Sequence, residues 1–210
     1  MLDLVLPLEC GGCGAPATHW CDACAAALRV DHPQVISPRL DPGVPVFALG
    51  RHAGARRQAI VALKEDGRTD LIPPLAHALA IGIHRLLVWG ILDLPLTVVP
   101  APTRRLAARR RGGDPVTKLA SRAVRGHPAI AMAPVLRLKG SARDSVGLGV
   151  SARQHNLEGR VRTVGGTLPD DADVLLIDDI VTTGATASES VRVLRAAGAN
   201  VAGVLAIAHA

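Results

Sequence analysis

Aromatic residues are almost missing from this 210-residue chain, which has two Trp, one Phe and no Tyr. Trp20, Trp89 and Phe47 leave little for bases to stack on, which weighs against a binder of single-stranded nucleic acid. Lysine is scarce as well, confined to Lys64, Lys118 and Lys139, so the positive charge is overwhelmingly guanidinium. A GC-rich genome, which favours Arg and Ala codons, accounts for that bias without a functional reason. Long apolar runs are lacking: the stretch 86–92 is bounded by His84, Arg85 and Asp93, well short of the roughly 18–20 residues that cross a bilayer, and no membrane partner is expected. The opening MLDLVLPLEC places Asp3 where a secretory signal carries basic residues, which predicts a cytoplasmic protein. Repeats and low-complexity tracts are absent. With 49% hydrophobic and 20% charged residues the composition is that of a folded chain, long enough for one ordinary core and a small appendage.

The formal net charge of +6 is not evenly spread. Residues 101–125 carry Arg104, Arg105, Arg109, Arg110, Arg111, Lys118, Arg122 and Arg125 against Asp114 alone, so the rest of the chain is close to neutral. A phosphate-rich partner suits such a segment, either a nucleic acid backbone or a small polyanion, and a solvated helix face is the competing account.

All four cysteines fall in the first 24 residues, as Cys10-x-x-Cys13 and Cys21-x-x-Cys24. In a chain read as cytoplasmic, two such pairs predict a tetrahedral thiolate site for Zn²⁺ rather than disulfides, each pair holding one face of the ion. Gly11, Gly12 and Gly14 suit the tight turn such a knuckle makes. A closed four-thiolate site is structural and is assigned no catalysis. The alternative is a set of reduced or redox-active thiols.

Residues 31–45 are rich in Pro, Asp and Ser and read as a connector between two units. Beyond it the pattern predicts a strand at 46–49, a helix at 56–64 stopped by Gly67, and a helical stretch over 71–92 that tolerates Pro73 and Pro74 only near its start. A β-branched run at 96–99 ends in Pro100-Ala101-Pro102. Asp114-Pro115 is a helix start with the carboxylate as N-cap, and Val116, Leu119, Ala120, Ala123 and Val124 form the apolar stripe that follows. Residues 139–159 show no sustained period and read as a long loop of the kind that forms lids.

The most informative segment begins at Val174-Leu175-Leu176-Ile177, a buried-strand pattern running into Asp178-Asp179-Ile180-Val181-Thr182-Thr183-Gly184-Ala185-Thr186. A helix with Val191 and Leu194 inward, stopped by Gly198, and a second apolar strand at 201–207 complete a parallel β-loop-α-β unit. At such a junction free backbone N–H groups and the positive end of the helix dipole receive a phosphate. Gly184 lets the backbone approach closely, and Thr182, Thr183 and Thr186 add hydroxyl donors. Asp178 and Asp179 cannot bind phosphate, but they accept hydrogen bonds from a vicinal diol or help hold a divalent metal. Diol and phosphate recognition side by side imply a ribose 5-phosphate. The reading requires both carboxylates to face the threonine-lined turn.

This segment, LLIDDIVTTGAT, resembles the phosphoribosyl pyrophosphate (PRPP) signature of type I phosphoribosyltransferases. The whole chain resembles the ComF family of competence-associated, phosphoribosyltransferase-like proteins. The features that carry this are the N-terminal cysteine knuckle, LKEDGRTDL at 63–71, Val98-Val99-Pro100-Ala101-Pro102, Arg111-Gly112, and Gly147-Leu148 with Arg153 and Asn156. Gly113, Asp114 and Ser145 depart from the family pattern, standing where Phe, Asn and Gln are usual, and the first removes a packing side chain near the phosphates.

The resemblance implies an α/β type I phosphoribosyltransferase fold, with a central, mostly parallel sheet flanked by helices and a small four-cysteine zinc knuckle at its N-terminus. It divides the chain into a zinc-binding segment and linker at 1–40 and a phosphoribosyltransferase-like domain at 41–210. The family chemistry displaces pyrophosphate from C1 of PRPP with Mg²⁺ present. Carried over, it gives Asp178 and Asp179 the ribose diol as catalytic positions, and Thr182, Thr183, Gly184, Ala185 and Thr186 the 5-phosphate. Pyrophosphate falls to Ala101, Pro102, Arg104 and Arg105, and the flexible loop contributes Arg143, Arg153 and Asn156. Lys64 is a further cation, for which a helix-end role near carbonyls is the alternative. Three functions stay open: a PRPP-dependent transferase; a non-catalytic PRPP or nucleotide sensor serving DNA uptake beside a helicase-like partner; and a nucleic-acid binder using the knuckle and the arginine stripe. The family departures favour the second over a fast enzyme, and the lack of aromatics weighs against the third.

Overall fold

The computed structural model describes residues 8–29, 32–103, 113–139, 159–165 and 173–210. Short runs, near-continuously apolar and buried in the central strands, supply the main sheet: β1 (Gln34–Ile36), β2 (Val46–Ala48), β3 (Leu96–Pro100), β4 (Ile130–Met132), β7 (Asp173–Val181) and β8 (Asn200–His209). Their order across the six-stranded sheet is β1-β2-β8-β7-β3-β4. Only β1 runs antiparallel to its neighbour; the pairs β2–β8, β8–β7, β7–β3 and β3–β4 are parallel. The fold is therefore mixed α/β around a mostly parallel sheet. In such a sheet, loops at the carboxyl ends of the strands gather on one edge, and ligands bind there.

Five helices accompany the sheet among the described residues: α1 (Asp22–Leu28), α2 (Gly54–Glu65), α3 (Ile72–Val88), α4 (Pro115–Ala123) and α5 (Ala185–Ala196). One face of the sheet packs Phe47, Leu175, Ile177 and Leu205 against Ile60 and Leu63 of α2, Leu75 and Leu79 of α3, and Leu119 of α4. The other face packs Val99, Leu176 and Val204 against Val191 and Leu194 of α5 and against Leu136 and Val161. Those last two belong to a separate antiparallel hairpin, β5 (Leu136–Leu138) and β6 (Val161–Thr163), which no sequence pattern announced. The stretch 69–88 has a mean hydropathy of 1.5 and is long enough for a membrane span by length and composition. Its inward positions, Leu71, Leu75, Leu79, Ile83 and Leu86, lie in the protein core.

Three details differ from the expectation drawn from the sequence. Residues 34–36, inside the Pro-rich connector, form the edge strand β1 of the main sheet, because a proline at 33 and at 38 bounds a strand without interrupting it. The strand bearing the aspartates does not stop at Ile177 but continues to Val181, paired as far as Val181 with His209. The turn therefore starts four residues later, at Thr182. Gly14 alone of the knuckle's three glycines takes a positive φ, 76°. Gly11 and Gly12 instead serve close packing: a Cβ on Gly11 would lie 2.6 Å from Leu71, and one on Gly12 would lie 2.6 Å from Cys24 Sγ.

The helix at Asp114 begins as its sequence requires. The Asp114 carboxylate accepts from the Val116 N–H at 3.1 Å and from the Thr117 hydroxyl at 2.6 Å, and Pro115 occupies the first turn.

Candidate functional site

β7 and β3 are parallel neighbours, and their register brings Pro100 opposite Ile177. The next residue, Ala101, donates its N–H to the Ile177 carbonyl at 2.7 Å. Ala101 and Pro102, both buried, thus stand beside Asp178 at the carboxyl edge of the sheet. Arg104 and Arg105 lie outside the described residues, as do Arg143, Arg153 and Asn156. The segment that holds the last three joins β5 to β6, whose ends are tied by the Lys139 N–H to the Arg160 carbonyl at 2.7 Å and by the Gly159 N–H to Glu189 of α5 at 2.8 Å.

Strand alternation sends the Asp178 and Asp179 side chains to opposite faces of β7. Asp179 is 7% exposed, and its Oδ2 pairs with Lys64 Nζ at 2.7 Å. Lys64 is in the last turn of α2, a helix packed on that face. Asp178 retains solvent contact, and its Oδ1 accepts from the Asp179 N–H at 2.8 Å. Burial first, then the neighbouring Asp179 carboxylate, push the Asp178 acid up to about 8, with Asp114 adding to the repulsion and Lys64 opposing it. The two aspartates are thus unequal: Asp178 is the one open to a ligand, whereas Asp179 is held by a cation 115 positions away in sequence. The expected pair of equivalent carboxylates is thus a pair of which one, Asp179, is engaged by Lys64.

The turn after β7 leads directly into the N-terminus of α5. Thr182 is exposed and Thr183 half-buried, and Gly184 opens α5 with φ 85°, a conformation glycine adopts without strain. Among the described residues no side chain other than Thr183, 3.4 Å from the Ala185 N–H, caps this helix. The N–H groups of the first turn, including Thr186, therefore have no intrahelical acceptor. Behind the turn, the Leu40 N–H donates to the Thr183 carbonyl at 2.8 Å, and a Cβ on Gly184 would strike the Leu40 carbonyl oxygen and Pro38. The connector 37–45 is the back wall of the turn, a role its composition did not reveal.

The cysteine cluster forms a second site. All four Sγ atoms lie within 4.8 Å of one another, with Cys10–Cys21 at 3.7 Å and Cys13–Cys21 at 3.6 Å. Tetrahedral Zn–S bonds of about 2.3 Å put sulfurs roughly 3.8 Å apart, so the donor set fits a zinc ion. Burial works against the Cys10 thiolate, yet backbone N–H groups of Cys21, Gly12 and Cys13 hold its thiol down at about 6. Burial and the neighbouring thiols push Cys24 up, a conflict that a divalent cation resolves.

The knuckle is fastened to the sheet domain by side chains that follow α2. Arg68 donates to the carbonyls of Glu9 at 3.0 Å and His19 at 3.4 Å and forms a two-pronged pair with Asp70. Asp70 in turn meets His19 at 3.3 Å. The Arg68 guanidinium holds the Asp70 acid below its ordinary value.

Two features of the site were missed from the sequence. One is the Lys64–Asp179 pair, for which only the weak signal of a helix-end lysine existed. The other is a cleft lined by Gln34, Arg51, His52, Ala53, His209 and Ala210, at the carboxyl ends of β2 and β8.

No family model matches this chain, and no curated protein does. Among solved structures it is similar to a hypoxanthine phosphoribosyltransferase from Staphylococcus aureus, at 18% identity over 66% of this chain and with a TM-score of 0.34. The match spans 61% of that protein's length.

Proposed function

We propose that this chain binds PRPP at the carboxyl edge of β7 and β3 and transfers its 5-phosphoribosyl group with release of pyrophosphate, in the manner of ComF-type, phosphoribosyltransferase-like proteins. The observation that supports this best is the convergence of three kinds of group on one edge. These are an open side chain at Asp178, a helix N-terminus at 184–186 that carries only the long Thr183 cap, and the Ala101-Pro102 turn hydrogen-bonded to β7.

In this reading Thr182, Thr183, Gly184, Ala185 and Thr186 receive the 5-phosphate through N–H groups and hydroxyls, with the phosphate replacing the long Thr183 Oγ1 contact at the Ala185 N–H. Asp178 accepts from the ribose diol. Asp179 either joins it by releasing Lys64 or remains the residue that positions Lys64 toward the phosphates. The carboxylates also fit Mg²⁺: an acid raised to about 8 by burial first, and then by two acidic neighbours, is relieved by a cation. Mg²⁺ bound with PRPP supplies charge neutralisation of the departing pyrophosphate. Ala101 and Pro102 shape the pyrophosphate end, with Arg104 and Arg105 next in the chain as its cations.

Calorimetry of PRPP binding in the presence of Mg²⁺ tests the site. The wild-type chain is expected to bind, and the double variant Asp178→Asn, Asp179→Asn to bind at least tenfold more weakly while circular dichroism shows it folded. Unchanged affinity in the folded double variant would remove the assignment.

A second reading, a non-catalytic PRPP or nucleotide sensor working in DNA uptake beside a helicase-like partner, is favoured by Gly113. Its φ of 128° suits glycine and strains any other residue, and a Cβ there would displace the tip of the Lys118 side chain, 2.9 Å away, so the family's usual Phe would need a different backbone at this position. Turnover separates the two readings: pyrophosphate release from PRPP with a panel of nitrogen nucleophiles supports a transferase, and binding without release supports the sensor.

A further inference from the structure

The cleft at the ends of β2 and β8 lies in a defined direction from the PRPP-binding edge. Across the sheet the order is β2, β8, β7, β3, so the cleft and the Ala101-Pro102 turn flank β7 from opposite sides. At about 4.8 Å per strand, β2 stands roughly 10 Å from β7. The connections are direct: His209 pairs with Val181, the residue before Thr182, and the His52 N–H donates to the His209 carbonyl at 2.7 Å. In a displacement at C1 the nucleophile approaches from the side opposite the leaving group. With pyrophosphate on the β3 side, that approach comes from the β8 and β2 side.

The chemistry of the cleft is one-sided. None of its lining side chains is acidic, and its only rings are the imidazoles of His52 and His209. Arg51 is exposed at its rim, and Gln34 and His209 add polar groups. A second guanidinium, Arg56, lies against Gly50, the residue before Arg51; its Nε is buried without a hydrogen-bond partner, and burial depresses its basicity with no carboxylate opposing. Burial first, then the charges of Arg57 and Lys64, lower the basicity of His52 against the opposing Asp179, so the permanent positive charge at the cleft is that of the arginines. Phe47 is in the core, and neither Trp20 nor Trp89 lines the cleft, so a base would find no large aromatic ring there, only imidazoles, while the guanidinium of Arg51 offers charge.

We propose that this cleft holds the acceptor, and that the acceptor is a small nitrogen nucleophile carrying a carboxylate, bound by charge through Arg51 rather than a neutral nucleobase held by stacking. The inference rests on the PRPP reading above. In the step, the bond from C1 to the pyrophosphate oxygen breaks and its electron pair leaves on pyrophosphate. The acceptor nitrogen supplies the electron pair of the new bond to C1. A ring N–H acceptor such as orotate then releases that proton to solvent, whereas a pyridine nitrogen such as that of nicotinate has none to lose and keeps the positive charge.

Matched pairs that differ by the carboxylate test this: orotate against uracil and nicotinate against nicotinamide, titrated into the chain loaded with PRPP and Mg²⁺. At least one acid is expected to bind tenfold or more tightly than its neutral partner. Arg51→Ala should weaken that acid tenfold or more and Arg51→Lys by less, while PRPP affinity stays unchanged. Arg51 is exposed on a loop, so these variants should fold. Equal or better binding of the neutral partners, no binding of either acid, or an Arg51→Ala variant that binds the acid normally would each overturn the inference. Failure of PRPP itself to bind, seen before any acceptor is added, would instead remove the underlying reading.

Discussion

Asp178 is the residue at which the site's electrostatics are most exposed to measurement. Its acid is raised from 3.8 to about 8, mainly by burial and then by Asp179. A group whose folded-state value lies above its unfolded value makes the folded state bind its proton more tightly. The stability this contributes is complete below about pH 4 and is lost as pH rises through 8. Asp178→Asn removes the penalty of the charged form, so the variant should melt higher than wild type near pH 8, and the difference should vanish near pH 4. Asp178 keeps some solvent contact, which reduces the effect to about 2 kcal/mol, or roughly 5 °C. Thermal melts across that range check it, and a variant less stable than wild type at pH 8 would contradict the burial argument. The same substitution should weaken PRPP binding, which separates a functional strain from a structural need. The sequence showed both aspartates but not their inequality, because the partner that distinguishes them, Lys64, comes from α2 and is brought in by tertiary packing alone.

Among the elements, the β7–turn–α5 unit was legible because its parts are local: a β-branched run, acids and threonines, a glycine, then an apolar helical stripe. The connector 37–45 was not legible as part of it. Pro and Asp read as linker chemistry, and nothing local shows that the Leu40 N–H meets the Thr183 carbonyl. That contact makes Gly184 more constrained than its φ of 85° alone requires. In Gly184→Ala the new Cβ meets backbone oxygen and a proline ring, neither of which yields easily. The substitution should cost about 2–3 kcal/mol through the combined strain of φ and contact. It should also pull the turn off the helix end and weaken 5-phosphate binding. Inorganic phosphate and PRPP titrations read that loss. An alanine variant as stable and as tight as wild type would show that the wall at 38–40 moves freely. The cleft was illegible for a related reason: Gln34, Arg51 and His209 come from three strand ends far apart in sequence, and only the sheet order assembles them.

For the whole molecule, the knuckle and the sheet domain share a boundary that the sequence placed in a linker. The sheet takes β1 from that linker, Leu28 of α1 enters the main core, and Leu71 fills the space over Gly11. Arg68 ties the knuckle's carbonyls to the segment following α2, whose last turn carries Lys64. Losing the metal therefore acts on more than the first 24 residues. Four thiols of conflicting tendency, Cys10 held low and Cys24 pushed up, would no longer share one cation. The knuckle would then release Arg68 and uncover Leu71. Removing zinc with a strong chelator should lower the melting temperature of the whole chain by on the order of 10 °C, since metal binding is coupled to folding of the unit that holds it. One zinc per chain by elemental analysis, and the same fall in Cys13→Ser without chelator, would support the coupling. Arg68→Ala should keep the zinc yet reproduce part of the fall, because it cuts the tie and leaves the thiolates intact. A chelated protein that melts at the wild-type temperature would mean that the knuckle folds apart from the sheet domain.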